Sequence, residues 1–504
     1  MLIQAIDASR YRRIASAQRD YVLNISPRRG TVFDRDGEIM AISEDVVTVY
    51  ATPYLVKEKK KAAWKVASVL GEDPADIESK LNSRSGFVYL ARQLDKVRAK
   101  RIKDMHIEGI GFIDESKRFY PMGSLASQVL GVVDVDNKGQ AGLELYYQDL
   151  LGGRPGEVVL ELDAAGNPIP GSEKRRVEAE DGEDIQVTLD KDIQARLEES
   201  LKSAVKRHGA KAGTAVVLDC FNGEILAMAS CPTFDPNRRE QIEPASMRNR
   251  AVTDVYEPGS ALKIVTATAA LEEGVVNADT TFMVPERLQV ADQVFKDAEP
   301  KPARQLKFRQ IISQSSNVGT ILVATRLGNE RLSAYLSRFG LGHRTGVDFP
   351  GEVGGIVPPL SSWSGTSGAT ISIGQGISVT LLQLACVAGT VANGGCRIYP
   401  HFMKARISDE GVRDMGLGGV GEQVLSGEAC SQVTAILEEV VQQGGTGTRA
   451  AVNYYRVAGK TGTAAKPVEG GAGYTGNYMA TFVGYAPVES PRLVVAVALD
   501  EPSP

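Results

Sequence analysis

The chain has 504 residues, of which 43% are hydrophobic and 24% are charged, and its formal net charge is −5. This composition is typical of about two or three globular domains and excludes a largely disordered chain, while the acidic balance gives no indication of a nucleic-acid partner. The five cysteines form no Cys-x-x-Cys pair and are typical of small core residues, and no zinc or haem motif is present, so we expect neither a metal nor a cofactor.

The first 180 residues predict strands, turns and short helices, without a cluster of residues that could do chemistry. Residues 11–21 are helical in character, and residues 29–37 are typical of a strand followed by a tight Asp-Gly turn. Residues 55 to about 110 are charged and helical, and the basic run at 57–61 is typical of a solvated face. Between 152 and 184 the composition shifts to Gly, Pro, Glu and Arg, which predicts a domain boundary near residue 180.

The rest of the chain predicts one α+β domain. After a helix at about 190–208, two strand patterns at 213–219 and 224–230 flank an Asn-Gly pair, which is typical of a β-hairpin. Three more strand patterns follow at 455–465, 478–486 and 492–499, whereas residues 260 to about 440 are predicted to be mainly helix and loop. Early and late strands that enclose a helical middle indicate an antiparallel sheet built from both ends of this segment.

Residues 257–263 open a long apolar run that predicts a buried helix. Ser260 lies in the predicted first turn of this helix, with Lys263 three residues later on the same face. A serine hydroxyl needs a base to take its proton, and a lysine becomes such a base when burial favours its neutral form. The pair therefore indicates acyl transfer, whereas Ser203 and Lys206, at the same spacing, lie on the predicted solvated flank of a helix.

Ser315 and Asn317 lie between two helical patterns, at 308–312 and 320–327. On a turn, the hydroxyl can relay protons and the amide can bind a substrate carbonyl. Serine and asparagine are also favoured at helix N-caps, and by itself the pair is more typical of a cap.

The motif Gly459-Lys460-Thr461-Gly462-Thr463 ends a strand pattern. A phosphate-binding loop is excluded, because Tyr454 stands where its first glycine is needed. At a strand edge, Lys460 supplies positive charge, Thr461 and Thr463 supply hydroxyls for a carboxylate, and Gly462 lets a peptide lie close along the edge. The N–H of Thr463 and that of the nucleophilic serine are candidates to hold an oxyanion.

In the order Ser-x-x-Lys, Ser-x-Asn, Lys-Thr-Gly, the chain resembles the class B penicillin-binding proteins, which are monofunctional D,D-transpeptidases, and most closely their division-type members of the penicillin-binding protein 3 type. Other segments carry the resemblance over nearly the whole chain: 213–230, 374–380, 445–447, Arg29-Gly30 with Asp34-Arg35-x-Gly37, Arg118-x-Tyr120-Pro121 and Gly142-Leu143-Glu144.

The resemblance implies a transpeptidase domain of the serine β-lactamase-like fold at 181–504, an antiparallel sheet with helices on both sides, on an elongated N-terminal pedestal of dimerisation type at 1–180. It implies that the protein cross-links peptidoglycan stem peptides and that β-lactams acylate Ser260 as mimics of D-Ala-D-Ala. Lys263 would be the base for acylation, Ser315 a proton relay and Asn317 a ligand for the substrate amide. The carboxylate site would comprise Lys460, Thr461 and Thr463, with Gly462 among them.

The resemblance also implies a role in septal cell-wall synthesis, at the cell membrane, with the catalytic domain on the external side. The N-terminal domain would contact a membrane glycosyltransferase and division proteins. Family members begin with a membrane-spanning helix and continue past the last strand into a C-terminal helix. No apolar run here reaches the about 18 residues that a span needs, so we expect the anchor to be missing from this sequence. The chain stops at Pro504, just after the last predicted strand, so we also expect the C-terminal helix to be missing and one sheet face to be partly uncovered.

Two alternatives stay open at this point. A serine β-lactamase shares the three motifs but needs an efficient deacylating base and no long preceding segment, and a β-lactam sensor or non-catalytic division scaffold would keep the site without turnover. A Ser-His-Asp hydrolase is excluded, because none of the four histidines lies near a nucleophile motif and no Gly-x-Ser-x-Gly elbow is present.

Overall fold

The computed structural model describes residues 20–162, 168–408, 411–416, 418–468 and 473–503. The predicted helix at 11–21 lies almost entirely outside these residues, and its last two residues begin a strand instead. In the N-terminal part the elements are β1 (Asp20–Ile25), β2 (Val32–Phe33), β3 (Ile39–Ala51), α1 (Lys59–Leu70), α2 (Pro74–Leu81), β4 (Val88–Leu94), α3 (Lys96–Lys103), β5 (Ile110–Phe119), α4 (Ser127–Leu130), α5 (Gly142–Tyr146), α6 (Gln148–Leu151), β6 (Gly156–Leu162), β7 (Pro168–Val177) and β8 (Asp184–Val187).

The N-terminal part contains a small lobe with a core of its own. Strand β3 pairs antiparallel with both β4 and β5. Helices α1 to α3 cover this sheet, because their apolar residues, such as Val66, Ile77 and Ile102, recur at helical spacing and are buried together. The segment from 55 to 110 is therefore helical as predicted, except for the strand β4. The turn after β2 is also confirmed, with Gly37 at φ +89°.

The C-terminal part begins with α7 (Lys191–Arg207), β9 (Ala212–Asp219), β10 (Ile225–Cys231), α8 (Arg250–Thr253), α9 (Lys263–Glu272), β11 (Thr281–Val284), β12 (Arg287–Val290), β13 (Gln293–Lys296), β14 (Arg304–Lys307), α10 (Phe308–Ser313), α11 (Asn317–Leu327), α12 (Asn329–Arg338) and α13 (Ser367–Ser372). It continues with α14 (Leu381–Ala392), β15 (Cys396–Tyr399), β16 (Met403–Ser408), β17 (Gly411–Asp414), β18 (Gly419–Gln423), α15 (Gly427–Val441), β19 (Ala458–Pro467), β20 (Tyr474–Ala486) and β21 (Leu493–Asp500).

The central sheet has five antiparallel strands in the order β10-β9-β21-β20-β19, which confirms the sheet predicted from the two ends of this segment. Every residue of β9 is buried, because helices cover both faces. Ala215 and Val217 pack against α7, while the alternating Val216 and Leu218 belong to the main core, which includes α14. The sheet therefore holds β19 as an edge strand on which a site can be built.

The stretch between 260 and 440 is mainly helix and loop as predicted, but its described residues also form eight short strands, β11 to β18, which the sequence did not predict. They have four to six residues each, and at least half of the residues are exposed in every one except β15 and β16. They therefore lack the apolar runs that mark the central strands. Strand β16 joins β8 and, through it, β2, so that one sheet combines both parts of the chain.

The cysteines and the helix lengths bear on two further expectations. Cys220, Cys386 and Cys430 are buried and Cys231 and Cys396 are half-buried, all without disulfides, which agrees with a packing role. Within the described ranges, none of the helices is both long enough and apolar enough to cross a membrane.

Candidate active site

Ser260 lies in a single 3-10 turn, Gly259–Leu262, that runs directly into α9. The prediction placed Ser260 in the first turn of the α-helix, whereas the serine lies in a 3-10 turn immediately before it. Gly259 has φ +52°, and a Cβ at this position would lie 2.9 Å from the carbonyl oxygen of Thr463. A glycine is required here because the serine turn packs directly against the edge of β19.

Lys263 is fully buried at the start of α9, and its amine is held by the Ser-x-Asn turn. Nζ donates to the Ser315 carbonyl oxygen at 2.8 Å and to Asn317 Oδ1 at 2.7 Å, and it lies 3.3 Å from Ser315 Oγ. None of these hydrogen bonds reaches the Ser260 hydroxyl. The two shortest bonds go to oxygens that can only accept, so a neutral Lys263 directs both its N–H groups there and keeps its lone pair for a hydroxyl.

The surroundings of Lys263 favour its neutral form. Burial, followed by repulsion from the nearby Lys460, lowers the pKa of Lys263 well below its usual value, and the carboxylate of Asp297 opposes this effect. This shift raises the uncharged fraction of the Lys263 amine, and a lysine acts as a base only in that uncharged form.

Ser315 stands between the two lysines. Its backbone is in the left-handed region, at φ +57°, and its Oγ accepts from Lys460 Nζ at 3.0 Å on one side while Lys263 lies on the other. The neighbouring Ser316, not Ser315, is the N-cap of α11, because Ser316 Oγ accepts from the Gly319 N–H at 3.0 Å. The capping alternative therefore applies to Ser316, and the hydroxyl of Ser315 is left to connect the two amines.

The lysine of the Lys-Thr-Gly motif is buried, not exposed at the strand edge. Lys460 Nζ donates to Ser315 Oγ and, at 3.0 Å, to the Thr461 carbonyl oxygen. Burial lowers the pKa of Lys460 to about 7. The positive charge predicted for this edge is therefore set by pH and by any carboxylate that binds beside it.

Along β19 the side chains alternate between the interior and the cleft. Lys460 and Gly462 are buried, whereas Thr461 and Thr463 are accessible and line the cleft. A Cβ at Gly462 would lie 2.7 Å from the Pro258 carbonyl oxygen. Glycine is therefore required at 462 because the serine turn packs closely against it. The sequence had predicted a different reason, the close approach of a bound peptide.

A cleft of about 600 Å³ collects these groups. Five of the predicted site residues line it, and Lys263 and Lys460 lie directly beneath it, bonded to Ser315. The lining consists mainly of polar and charged side chains: Ser260, Asp297, Glu299, Lys301, Arg304, Gln314, Ser315, Ser316, Asn317, Gln375, Thr446, Thr461 and Thr463. In the part of the chain that the structure describes, no group of three or more His, Cys, Asp or Glu side chains could hold a metal ion.

Two residues of the cleft were not predicted as functional. Thr446 Oγ1 lies 2.8 Å from Thr461 Oγ1, at the end of the site where the carboxylate was expected. The only sequence signal for Thr446 is the resemblance of its Gly-Thr-Gly segment, 445–447, to the family. Asp297 hydrogen-bonds to the Ser-x-Asn turn, and nothing in the local sequence indicates this contact because its partners lie 19 to 21 residues away.

Two family models match the chain. "Penicillin binding protein transpeptidase domain" matches residues 213–503, and "Penicillin-binding Protein dimerisation domain" matches residues 24–187. "Penicillin-binding protein PbpB" of Mycolicibacterium smegmatis is 36% identical over 528 residues, which cover 97% of this chain and 81% of that protein. "Peptidoglycan D,D-transpeptidase FtsI" of Escherichia coli K12 is 33% identical over 489 residues, covering 95% of this chain and 80% of the relative.

The solved structures agree with these relatives. The crystal structure of penicillin binding protein 3 from Mycobacterium tuberculosis, complexed with aztreonam, superposes with a TM-score of 0.75 at 31% identity and covers 95% of this chain and 91% of that one. The fold, the three motifs and the relatives lead to the same assignment. This chain belongs to the class B penicillin-binding proteins, with a transpeptidase domain that follows a dimerisation domain.

Proposed function

We propose that this protein is a peptidoglycan D,D-transpeptidase that cross-links stem peptides through an acyl-enzyme at Ser260. The observation that carries the proposal is the hydroxyl of Ser315, which joins the buried amines of Lys263 and Lys460 in the cleft that Ser260 lines. A nucleophile, a neutral base and a proton carrier are the groups that acyl transfer needs.

In the acylation step, Ser260 Oγ attacks the carbonyl carbon of the penultimate D-Ala while the lone pair of Lys263 takes the hydroxyl proton. The N–H groups of Ser260 and Thr463 stabilise the developing oxyanion. When the peptide bond breaks, the proton passes from Lys263 through the Ser315 hydroxyl to the leaving D-Ala nitrogen. The products are an ester on Ser260 and free D-Ala, and Lys263 is again neutral.

In the second step, the amine of a neighbouring stem peptide attacks the ester carbonyl. Its proton returns to Ser260 Oγ through Lys263, so the serine is regenerated and the new peptide bond is the cross-link. The amide nitrogen of Asn317 is suited to hold a substrate carbonyl, because Oδ1 of the same side chain is already occupied by Lys263. The same residues serve both steps, as the reversibility of acyl transfer requires.

The terminal carboxylate of the donor is assigned to Lys460 and to the hydroxyls of Thr461 and Thr463. The pKa of Lys460, about 7 in the empty site, rises when an anion binds beside it, so the bound complex keeps the lysine protonated. Thr446 extends this hydroxyl cluster through its contact with Thr461.

Several broader assignments belong to the same proposal. These are a pedestal up to about residue 180 and a catalytic domain from 181, a role in septal synthesis on the external side of the cell membrane, and contact of the N-terminal domain with a membrane glycosyltransferase and division proteins. They are supported by the resemblance of the motifs to the division-type members of the family.

The proposal is tested by incubating the purified chain with a stem peptide that ends in D-Ala-D-Ala and with an amine acceptor. Mass spectrometry is expected to detect released D-Ala and the donor-acceptor product, and neither with Ser260→Ala. A stable penicillin adduct without any acyl transfer to the amine would favour a sensor or scaffold instead. Rapid hydrolysis of penicillin would favour a β-lactamase.

A further inference from the structure

The carboxylate of Asp297 lies against the N-terminus of α11, directly behind the Ser-x-Asn turn. Its Oδ1 accepts from the backbone N–H of Asn317 at 2.6 Å and of Val318 at 3.0 Å. Both carboxylate oxygens also accept from Ser316 Oγ at 3.0 Å. One side chain thus binds three consecutive residues of the turn.

These contacts are more than an ordinary helix cap. Helix α11 already has an N-cap in Ser316, which satisfies the N–H of Gly319. Asp297 satisfies two further N–H groups that would otherwise lack an intrahelical partner, and its charge lies at the positive end of an 11-residue helix. The turn is consequently held from outside the helix as well as from within.

Asp297 is delivered by a packed hairpin. It follows β13 directly, and β12 and β13 pair with each other in antiparallel register. The apolar side chains of this hairpin, Leu288, Val290 and Phe295, pack against Ile321 of α11 and against Ala369 and Ile373. The carboxylate is therefore fixed relative to α11 by side-chain packing on both sides of the hairpin connection.

The residues that Asp297 holds are the ones that hold Lys263. Asn317, whose N–H binds Asp297, accepts from Lys263 Nζ through Oδ1 at 2.7 Å, and Ser315 accepts the same amine through its carbonyl oxygen. A shift of the turn would move both acceptors and the relay hydroxyl together.

We propose that Asp297 is a positioning residue of the transpeptidase site, which locks the Ser315–Asn317 turn against Lys263. This inference rests on the proposed function of Lys263 as the base. The charged groups that act on Lys263 are Lys460, from β19, and Asp297, from the segment after β13, and they have opposite effects on its pKa.

The consequence for acylation is specific. Of these two groups, only Asp297 attracts the protonated form of Lys263. Without the negative charge at 297, the pKa of Lys263 is therefore expected to fall further. The acid limb of the pH profile for acylation by benzylpenicillin is then expected to move to lower pH, while the maximal rate falls by about 10-fold to 100-fold because the turn is less well placed.

Two variants separate the charge from the hydrogen bonds. Asp297→Asn keeps one acceptor oxygen, whereas Asp297→Ala keeps none, so Asp297→Ala is expected to be slower while both shift the acid limb equally. Asp279→Asn is the matched control, because Asp279 is exposed, pairs with Lys307 and Arg309 on the surface and does not contact the turn. The control is expected to keep the wild-type profile.

An acid limb at the wild-type pH in both Asp297 variants would overturn the inference, even if both were slow, because a purely structural role reduces the rate without moving the limb. This failure is distinguishable from failure of the proposed function. If the proposed function itself fails, wild-type protein either is not acylated at Ser260 or forms an adduct that is never transferred to an amine acceptor.

Discussion

Replacement of Lys460 by methionine is expected to stabilise the fold while it removes the amine of the proposed carboxylate site. Lys460 is fully buried, and burial lowers its pKa from 10.5 to about 7. Each pKa unit corresponds to about 1.4 kcal/mol, so at pH 7 the buried amine costs on the order of 4 kcal/mol relative to a lysine exposed in the unfolded chain. Methionine fills a similar volume without this cost.

The gain is partly offset by lost hydrogen bonds. Lys460 donates to Ser315 Oγ and to the Thr461 carbonyl oxygen, and each bond contributes about 1 kcal/mol. The net expectation is that Lys460→Met raises the free energy of unfolding by about 2 kcal/mol at pH 7. A catalytic group that destabilises the fold is a common consequence of selection for activity.

The sign of the pH dependence provides an independent check. The folded-state pKa lies below the unfolded one, so the unfolded chain binds more protons between pH 7 and 10.5, and wild-type stability rises with pH across this window. The advantage of the variant is therefore expected to shrink to near zero by about pH 9. Urea unfolding followed by circular dichroism at the two pH values measures this difference.

Lys466→Met, on the same strand, is the matched control. Lys466 pairs with Asp500 and Glu501, and hydrogen bonds and attraction from these carboxylates raise its pKa despite partial burial. This substitution is expected to destabilise the protein. If Lys460→Met were less stable than wild type at pH 7, or if its advantage did not depend on pH, the account of a buried, discharged lysine would be refuted.

Three further substitutions test other parts of the structure. Lys263→Arg places a guanidinium that cannot give up its proton, so labelling by fluorescent penicillin should slow by about 10²-fold to 10⁴-fold. Glu144→Gln removes the buried carboxylate that binds Arg29 and Arg118 at 2.6 Å each. Thermal unfolding should therefore show that the free energy of unfolding falls by about 3 to 5 kcal/mol. Tyr147→Phe removes a buried hydrogen bond to Asp348, which should lower the unfolding free energy by about 1 to 2 kcal/mol and leave acylation unchanged.

Each of these expectations has a clear contrary result. Wild-type labelling of Lys263→Arg would exclude this lysine as the base. A melting temperature of Glu144→Gln equal to that of wild type would mean that the two buried guanidinium groups find other partners. Slower acylation by Tyr147→Phe, at a temperature where it is fully folded, would connect the N-terminal part to the chemistry.

The central sheet could be predicted from sequence because its strands carry strong local patterns. The Asn222-Gly223 turn between two apolar runs defines the first hairpin, and Gly223 has the φ of +78° that such a turn needs. The three late strands were found in the same way. Apolar runs of this kind predict strands reliably because burial on both faces leaves few other solutions.

The short strands between 260 and 440 could not be predicted in this way, because their sequence patterns are too short. Arg287–Val290 alternates polar with apolar side chains, and Gln293–Lys296 has two apolar residues between two polar ones. Each has only four residues, which is too short a pattern to distinguish from a loop. The pairing of Asp184–Val187 with both Val32–Phe33 and Met403–Ser408 depends on contacts over more than 150 residues. No local pattern contains that information.

The three motifs were predicted to meet, and the structure brings them together. Their environment was not predictable. Lys460 lies on the buried face of β19 because the Ser315 turn covers it, and Asp297 acts on a turn 20 residues away. Both effects arise from the packing of separate segments.

The most direct test of the account is the intact mass of the purified chain after treatment with benzylpenicillin, with Ser260→Ala beside it. One covalent adduct is expected on wild-type protein, located on the peptide that contains Ser260, and none on the variant. An adduct that persists in Ser260→Ala, or wild-type protein that gains no mass, would contradict the assignment of Ser260 as the nucleophile.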